Sequence, residues 1–174
     1  MQKSSWKYSY NPSLFTSALN TPSWERVEGT QYLEVTHGCA HNSCRFCTYY
    51  KRTPFKPSTD KEIERSLKYL SLVDAKTPIK RIFLQGADPF VLSYDRLMEI
   101  REKLFSTLPN LESIGGYGRM TDICNKSVDQ LKSLHEAGFT DFFFGVESAD
   151  DALLKFVNKG YDADTLWEQG MKMH

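Results

Sequence analysis

The chain has 174 residues, 40% of them hydrophobic and 25% charged, enough for one packed domain of ordinary size. Its 22 basic and 22 acidic side chains cancel, so it carries no electrostatic footprint for nucleic acid or an anionic membrane. No segment reaches the roughly 18 apolar residues of a membrane span, and "MQKSSWKYSYNPSLF" lacks a secretory apolar run; together these predict a cytoplasmic protein with reduced thiols.

Residues 1–30 are predicted as an irregular arm. They mix aromatics (Trp6, Tyr8, Tyr10, Phe15, Trp24) with Pro12 and Pro22 and show no clear period. Strand and helix signals then alternate through 31–174. Tyr32–Thr36 alternates apolar and polar residues as a strand does. Thr59 and Glu62 form a capping box, followed by Ile63, Leu67 and Leu70 at helical spacing. Arg81–Gly86 is a second strand. Ser93 caps a helix whose apolar face is Leu97, Ile100 and Leu104, and Pro109 stops it.

Leu111–Gly118 is a weaker third strand ending in glycines. Ser127 and Gln130 form another capping box, Leu131 and Leu134 supply the helix face, and Gly138 ends it. Phe142–Val146 is apolar throughout and predicts a fourth strand buried on both faces. A short helix over Asp151–Val157 follows, then a last one from about Asp162. Four successive βα units argue for parallel strands with right-handed crossovers. The period alone does not separate an open doubly wound sheet from part of a βα barrel. In both, ligands bind at the carboxyl ends of the strands, where "THGCAHNSC", "QGADP", "GGYGR" and "GVES" fall.

The chemistry is concentrated in "GCAHNSCRFC", which holds three of the four cysteines, Cys39, Cys44 and Cys47, as C-x4-C-x2-C. Thiolates suit iron–sulfur clusters, zinc and copper(I). A [4Fe–4S] cluster usually takes four cysteines, so three leave one iron open to another ligand. The competing reading is a structural zinc site, which needs a fourth ligand from Cys124, His37 or His41. Cys124 otherwise reads as a small buried hydrophobe, and His37 has no evident partner.

The stretch "VTHGCAHNSCRFCTYYKRTPF" resembles the cluster loop of radical S-adenosylmethionine (SAM) enzymes. Within them it looks most like the oxygen-independent coproporphyrinogen oxidase-like and related iron–sulfur oxidoreductases. The usual spacing there is C-x3-C-x2-C; the one extra residue here can be absorbed without losing a ligand. "GVESADDALLKFVNKGY" resembles the family's fourth-strand segment, and the likeness covers about 30–174. It implies a [4Fe–4S] cluster on Cys39, Cys44 and Cys47, with SAM as second cofactor. It also implies reductive cleavage of SAM to a 5′-deoxyadenosyl radical that abstracts hydrogen from an unknown substrate. Phe46, before the last cysteine, would lie near the adenine. Gly86, Ala87 and Asp88 would match the motif that meets the SAM amino group, and Glu147 and Ser148 would reach the ribose. The electron would come from a donor such as a flavodoxin or ferredoxin.

Several of these residues have plainer readings. Gly86 also ends a strand, and Asp88 also starts a turn before Pro89. Gly115, Gly116, Gly118 and Arg119 would line the pocket, although Arg119 also reads as a solvated charge. A carboxylate placed after a buried strand, as Glu147 is, needs a partner. Tyr49, Tyr50, Lys51 and Arg52 would shield the cluster or pack as aromatics. Barrels of this family have six βα units, and four are present here. The expectation is therefore a piece of a longer enzyme, with an unpaired strand edge open to self-association. The alternative from another class is a non-catalytic metal-binding module.

Overall fold

The computed structural model describes residues 27–51 and 53–173. Most of the expected N-terminal arm, and Arg52, lie outside the described residues. The chain opens with β1 (Thr30–Glu34) and a short β2 (Thr36–His37), which pairs antiparallel with β3 (Lys56–Pro57). Helix α1 (Asp60–Asp74), β4 (Arg81–Gln85), a single 3-10 turn at Pro89–Val91 and α2 (Tyr94–Thr107) follow. Next come β5 (Ser113–Gly118), the short α3 (Met120–Cys124), α4 (Val128–Glu136) and β6 (Phe139–Phe144). Helices α5 (Asp151–Phe156) and α6 (Ala163–Lys172) complete the order.

The local signals act as their chemistry dictates. The Thr59 hydroxyl accepts from the Glu62 amide at 3.3 Å, and the Glu62 carboxylate accepts from the Thr59 amide at 2.8 Å. Ser127 and Gln130 make the same reciprocal pair, and Ser93 caps α2. Each satisfies amides that a helix start leaves without partners.

The main sheet is wholly parallel, in the order β1-β4-β5-β6. Each strand is added beside the last, on the same side. That is the winding of a βα barrel; a doubly wound sheet would reverse at a switch point. The helix-facing side carries Leu33, Ile82, Leu84 and Ile114, packed with Ile63, Leu67, Leu70, Leu97, Ile100 and Leu104. Each such side chain contributes roughly 1.5–3 kcal/mol when fully buried, so this layer dominates the fold's stability. On the other side Tyr32, Phe83, Tyr117 and Phe143 make an aromatic row. There Arg81 bonds Asp141 at 2.8 Å, and the bond passes over Gly115, where a Cβ would lie 2.9 Å from the guanidinium.

Two expectations need correction. The first strand starts two residues earlier than its pattern suggests, and Thr36 belongs to the separate β2. The fourth strand is Phe139–Phe144, an outer strand of the sheet rather than one buried on both faces; Phe143 is 38% exposed. Its apolar run supplies the aromatic row on one side and packs Phe142 and Phe144 against Phe90 on the other. The β2–β3 ribbon and α3 had no signal in the period, because two- and five-residue elements are too short to display one. No helix among the described residues is long and apolar enough to cross a membrane.

Candidate metal centre

The β2–β3 ribbon brackets the cysteine loop and sets it at the carboxyl end of β1. The loop is braced from within. Gly38 has φ +67°, and a Cβ there would meet the Thr53 and Pro54 carbonyl oxygens at 2.7 and 2.8 Å, so only glycine fits. Asn42, also at positive φ, donates its side-chain amide to the Tyr50 carbonyl at 2.8 Å. Its backbone N–H points at Cys39 Sγ, 3.4 Å away. Lys51 Nζ caps the Cys44 carbonyl at 2.7 Å. Tyr49 is 87% exposed beside Tyr50, so it shields little. Burial pushes the Tyr50 phenol up to about 12, which keeps it neutral.

Cys39, Cys44 and Cys47 are free thiols of intermediate exposure. Burial pushes the Cys39 thiol up, against the opposing pull of the Asn42 amide. Among the described residues no three His, Cys, Asp or Glu side chains converge as a single-ion site would require. A four-iron cluster asks for something different, since each thiolate binds its own iron and the sulfurs stay apart. Three soft donors on one loop, with no fourth, fit that group.

Among the described residues no histidine or fourth cysteine joins the three cysteines as a zinc ligand. His41 Nε2 is engaged with the Asn158 carbonyl at 2.7 Å. His37 lies against Glu34 at 3.1 Å, with Ser58 and Glu62 at its other nitrogen. Cys124 is exposed, not a buried hydrophobe; it ends α3, with its thiol turned back toward the Met120 carbonyl.

The turn after β4 reaches the same loop. Asp88 is fully buried and accepts from the Ala40 amide at 3.2 Å, with Cys39 Sγ 4.0 Å away. Burial, then the neighbouring Asp122 carboxylate, push Asp88 up to about 7. Asp88 therefore does more than begin a turn, because its carboxylate holds the residue next to Cys39. Ala87, beside it, is partly exposed. Gly86 has φ +128°, and a Cβ would lie 2.0 Å from the Thr36 hydroxyl, so the close approach that demands glycine is to β2. Gly116 and Gly118 likewise make room for Phe142 and Phe144 rather than line a pocket.

Beyond β6 the rim continues with Glu147 and Ser148. Glu147 is exposed, at φ +67°, so it needs no partner for burial. The buried member of its ion pair is Lys159, 6% exposed, whose Nζ donates to Glu147 Oε1 at 3.1 Å. Ser148 Oγ accepts from the Asp150 amide at 3.0 Å. Phe46 is half exposed, with Lys159 Nζ 5.8 Å from its ring centre. Arg119 is not a solvated charge; it donates to the Lys159 carbonyl at 2.7 Å. Lys159, Asn158 and Arg119 were missed as a group. Backbone carbonyls make most of these contacts, and a carbonyl leaves no mark in a sequence. The two positive-φ positions, Asn158 and Gly160, were the available signal.

The family model of the radical SAM superfamily matches residues 33–169. The chain is 26% identical over 141 residues to the heme chaperone HemW of Bacillus subtilis (strain 168), covering 78% of this chain and 37% of that protein. It also resembles the cobalamin-dependent SAM radical enzyme OxsB. Against the form with aqua-cobalamin and SAM bound, the TM-score is 0.65 at 21% identity, over 82% of this chain and 22% of that one. The form with aqua-cobalamin alone gives 0.65 at 22% identity, with the same coverage. The chain thus spans little more than a third of its curated relative.

Proposed function

The chain belongs to the radical SAM superfamily, and from that premise we propose that it is the cluster- and SAM-binding part of a radical enzyme. The observation that carries this reading is the set of three free thiols on one braced loop at the carboxyl end of the parallel sheet. When bound, a [4Fe–4S] cluster supplies an open iron to hold SAM and the electron that cleaves it to a 5′-deoxyadenosyl radical.

Everything else falls to the protein. Cys39, Cys44 and Cys47 hold the cluster as thiolates. Asp88 fixes the backbone beside Cys39, and Lys51 fixes it at Cys44. Phe46 offers a half-exposed ring to the adenine. The backbone from Gly86 to Asp88 flanks the amino group, while the Asp88 carboxylate is committed to the loop. Glu147 and Ser148, on the same rim, suit the ribose hydroxyls. A substrate and an electron donor such as a flavodoxin or ferredoxin complete the reaction.

Anaerobic reconstitution of the full chain tests the reading. The expected result is about four irons and four sulfides per chain, a cluster spectrum altered by SAM, and 5′-deoxyadenosine released on reduction. Any one Cys→Ala change at the three positions should abolish stable cluster binding. One tightly held zinc and no iron would overturn the proposal in favour of a structural metal module.

A further inference from the structure

The cysteine loop is gripped from outside by a segment more than a hundred residues later in the chain. The Arg45 amide donates to the Val157 carbonyl at 2.8 Å. The Asn158 side-chain amide donates to the Ser43 carbonyl at 3.0 Å, and His41 Nε2 meets the Asn158 carbonyl at 2.7 Å. Residues 41, 43 and 45 alternate along the loop, as on the edge of a strand, and Ser43 and Arg45 flank Cys44. The Arg45 guanidinium also lies over Phe156, 5.7 Å from the ring centre. The link between α5 and α6 thus contacts the parts of the loop that carry no metal ligand.

The link is itself tied to the rim of the sheet. Arg119, after β5, donates to the Lys159 carbonyl, and Glu147, after β6, accepts from Lys159 Nζ. The turn depends on two left-handed residues, Asn158 at φ +54° and Gly160 at φ +87°. A Cβ at Gly160 would lie 2.7 Å from His41 and 3.2 Å from Arg119. Glycine is required there both by its φ and by the closeness of the loop.

We propose that Val157–Gly160 is a positioning brace for the cluster. It joins the loop after the first strand to the ends of the third and fourth, and it sets the spacing of Cys44 and Cys47 before any metal arrives. Preorganised ligands lose less freedom on binding, so the brace raises cluster retention without touching the cluster. This rests on the three cysteines being the cluster ligands.

The test uses the full chain with Gly160→Val, Asn158→Ala and Asn158→Gly, and Cys124→Ser as an off-site control. In metal-free protein, amide hydrogen exchange across 41–47 and alkylation of Cys44 and Cys47 are followed by mass spectrometry. Loss of one or two of these hydrogen bonds should speed both by about tenfold in Gly160→Val and Asn158→Ala. Asn158→Gly, which keeps the left-handed turn, should fall between them and wild type. After reconstitution, iron loss to a chelator should accelerate in the same order, with Cys124→Ser unchanged. Wild-type exchange and alkylation in a folded Gly160→Val or Asn158→Ala chain would overturn the brace. If wild type takes up no iron, the cluster reading fails, and the exchange and alkylation arms still decide the brace on their own.

Discussion

Lys126 carries its ammonium group into the interior beneath the turn that holds Asp88. Its side chain is fully buried, with Nζ 2.6 Å from the Phe90 carbonyl oxygen, 3.4 Å from that of Asp122, and 4.4 Å from the centre of the Phe90 ring. Burial pulls it down to about 8, the Asp122 carboxylate opposes this, and Lys172 reinforces it. The folded value lies below the ordinary 10.5, so between the two the unfolded chain holds a proton that the folded chain has released. Stability from this group therefore rises with pH across that window, by up to about 1.4 kcal/mol per pH unit. Denaturant unfolding at pH 7.5, 8.5 and 9.5 should show wild type gaining on Lys126→Met; parallel profiles would remove Lys126 as the cause. Asp88 offers a second contrast. Asp88→Asn keeps an oxygen for the Ala40 amide, while Asp88→Ala leaves that amide without its acceptor. Cluster affinity measured by chelator competition should fall about 10- to 100-fold in the alanine variant and far less in the asparagine one.

The elements differ in how far the sequence reveals them. Helix starts were legible because a capping box is a contact between residues three apart, and Thr59–Glu62 and Ser127–Gln130 form as read. The apolar faces of α1 and α2 were legible for the same reason: burial at helical spacing is a local pattern. The outer position of β6 was not, since an apolar run says that a strand is covered but not by what. The glycines of β5 were read toward the wrong partner. At Gly118 a Cβ would come 2.6 Å from Phe144 and 2.8 Å from Phe90, so the residue is there for packing between strand and turn. Gly118→Ala should destabilise the fold by about 1–3 kcal/mol, the usual cost of overpacking, measured as a lower denaturant midpoint with an unchanged slope. A Gly118→Ala chain of wild-type stability with weakened SAM binding would restore the pocket-lining role.

Across the whole molecule, the site was legible where it is made of side chains with distinctive chemistry and illegible where it is made of backbone. Three thiols in nine residues stand out in a sequence; the carbonyls of Val157, Asn158 and Lys159 do not. The sheet likewise has β1 and β6 as outer strands, and among the described residues no strand pairs with the far side of either. Such edges favour pairing with another chain, so sedimentation should reveal concentration-dependent association, and a monomer at all concentrations would end that expectation. On the proposed reading, the same architecture would make a bound cluster a fastener for the domain as a whole. The three cysteines sit near the first strand, and the brace that holds their loop between them sits after the fourth, so binding there would stabilise both ends of the folded chain together. A ligand specific for the native state contributes about 2.7 kcal/mol at a hundredfold excess over its Kd. In a chain of this size each kcal/mol raises Tm by about 2–4 °C. The reconstituted protein should therefore melt about 5–10 °C above the metal-free form, and amide protection should increase in 38–47 and 157–161 together. A cluster that binds fully yet leaves Tm unchanged, or that protects only its own loop, would mean that the two ends of the chain are not mechanically joined through the site.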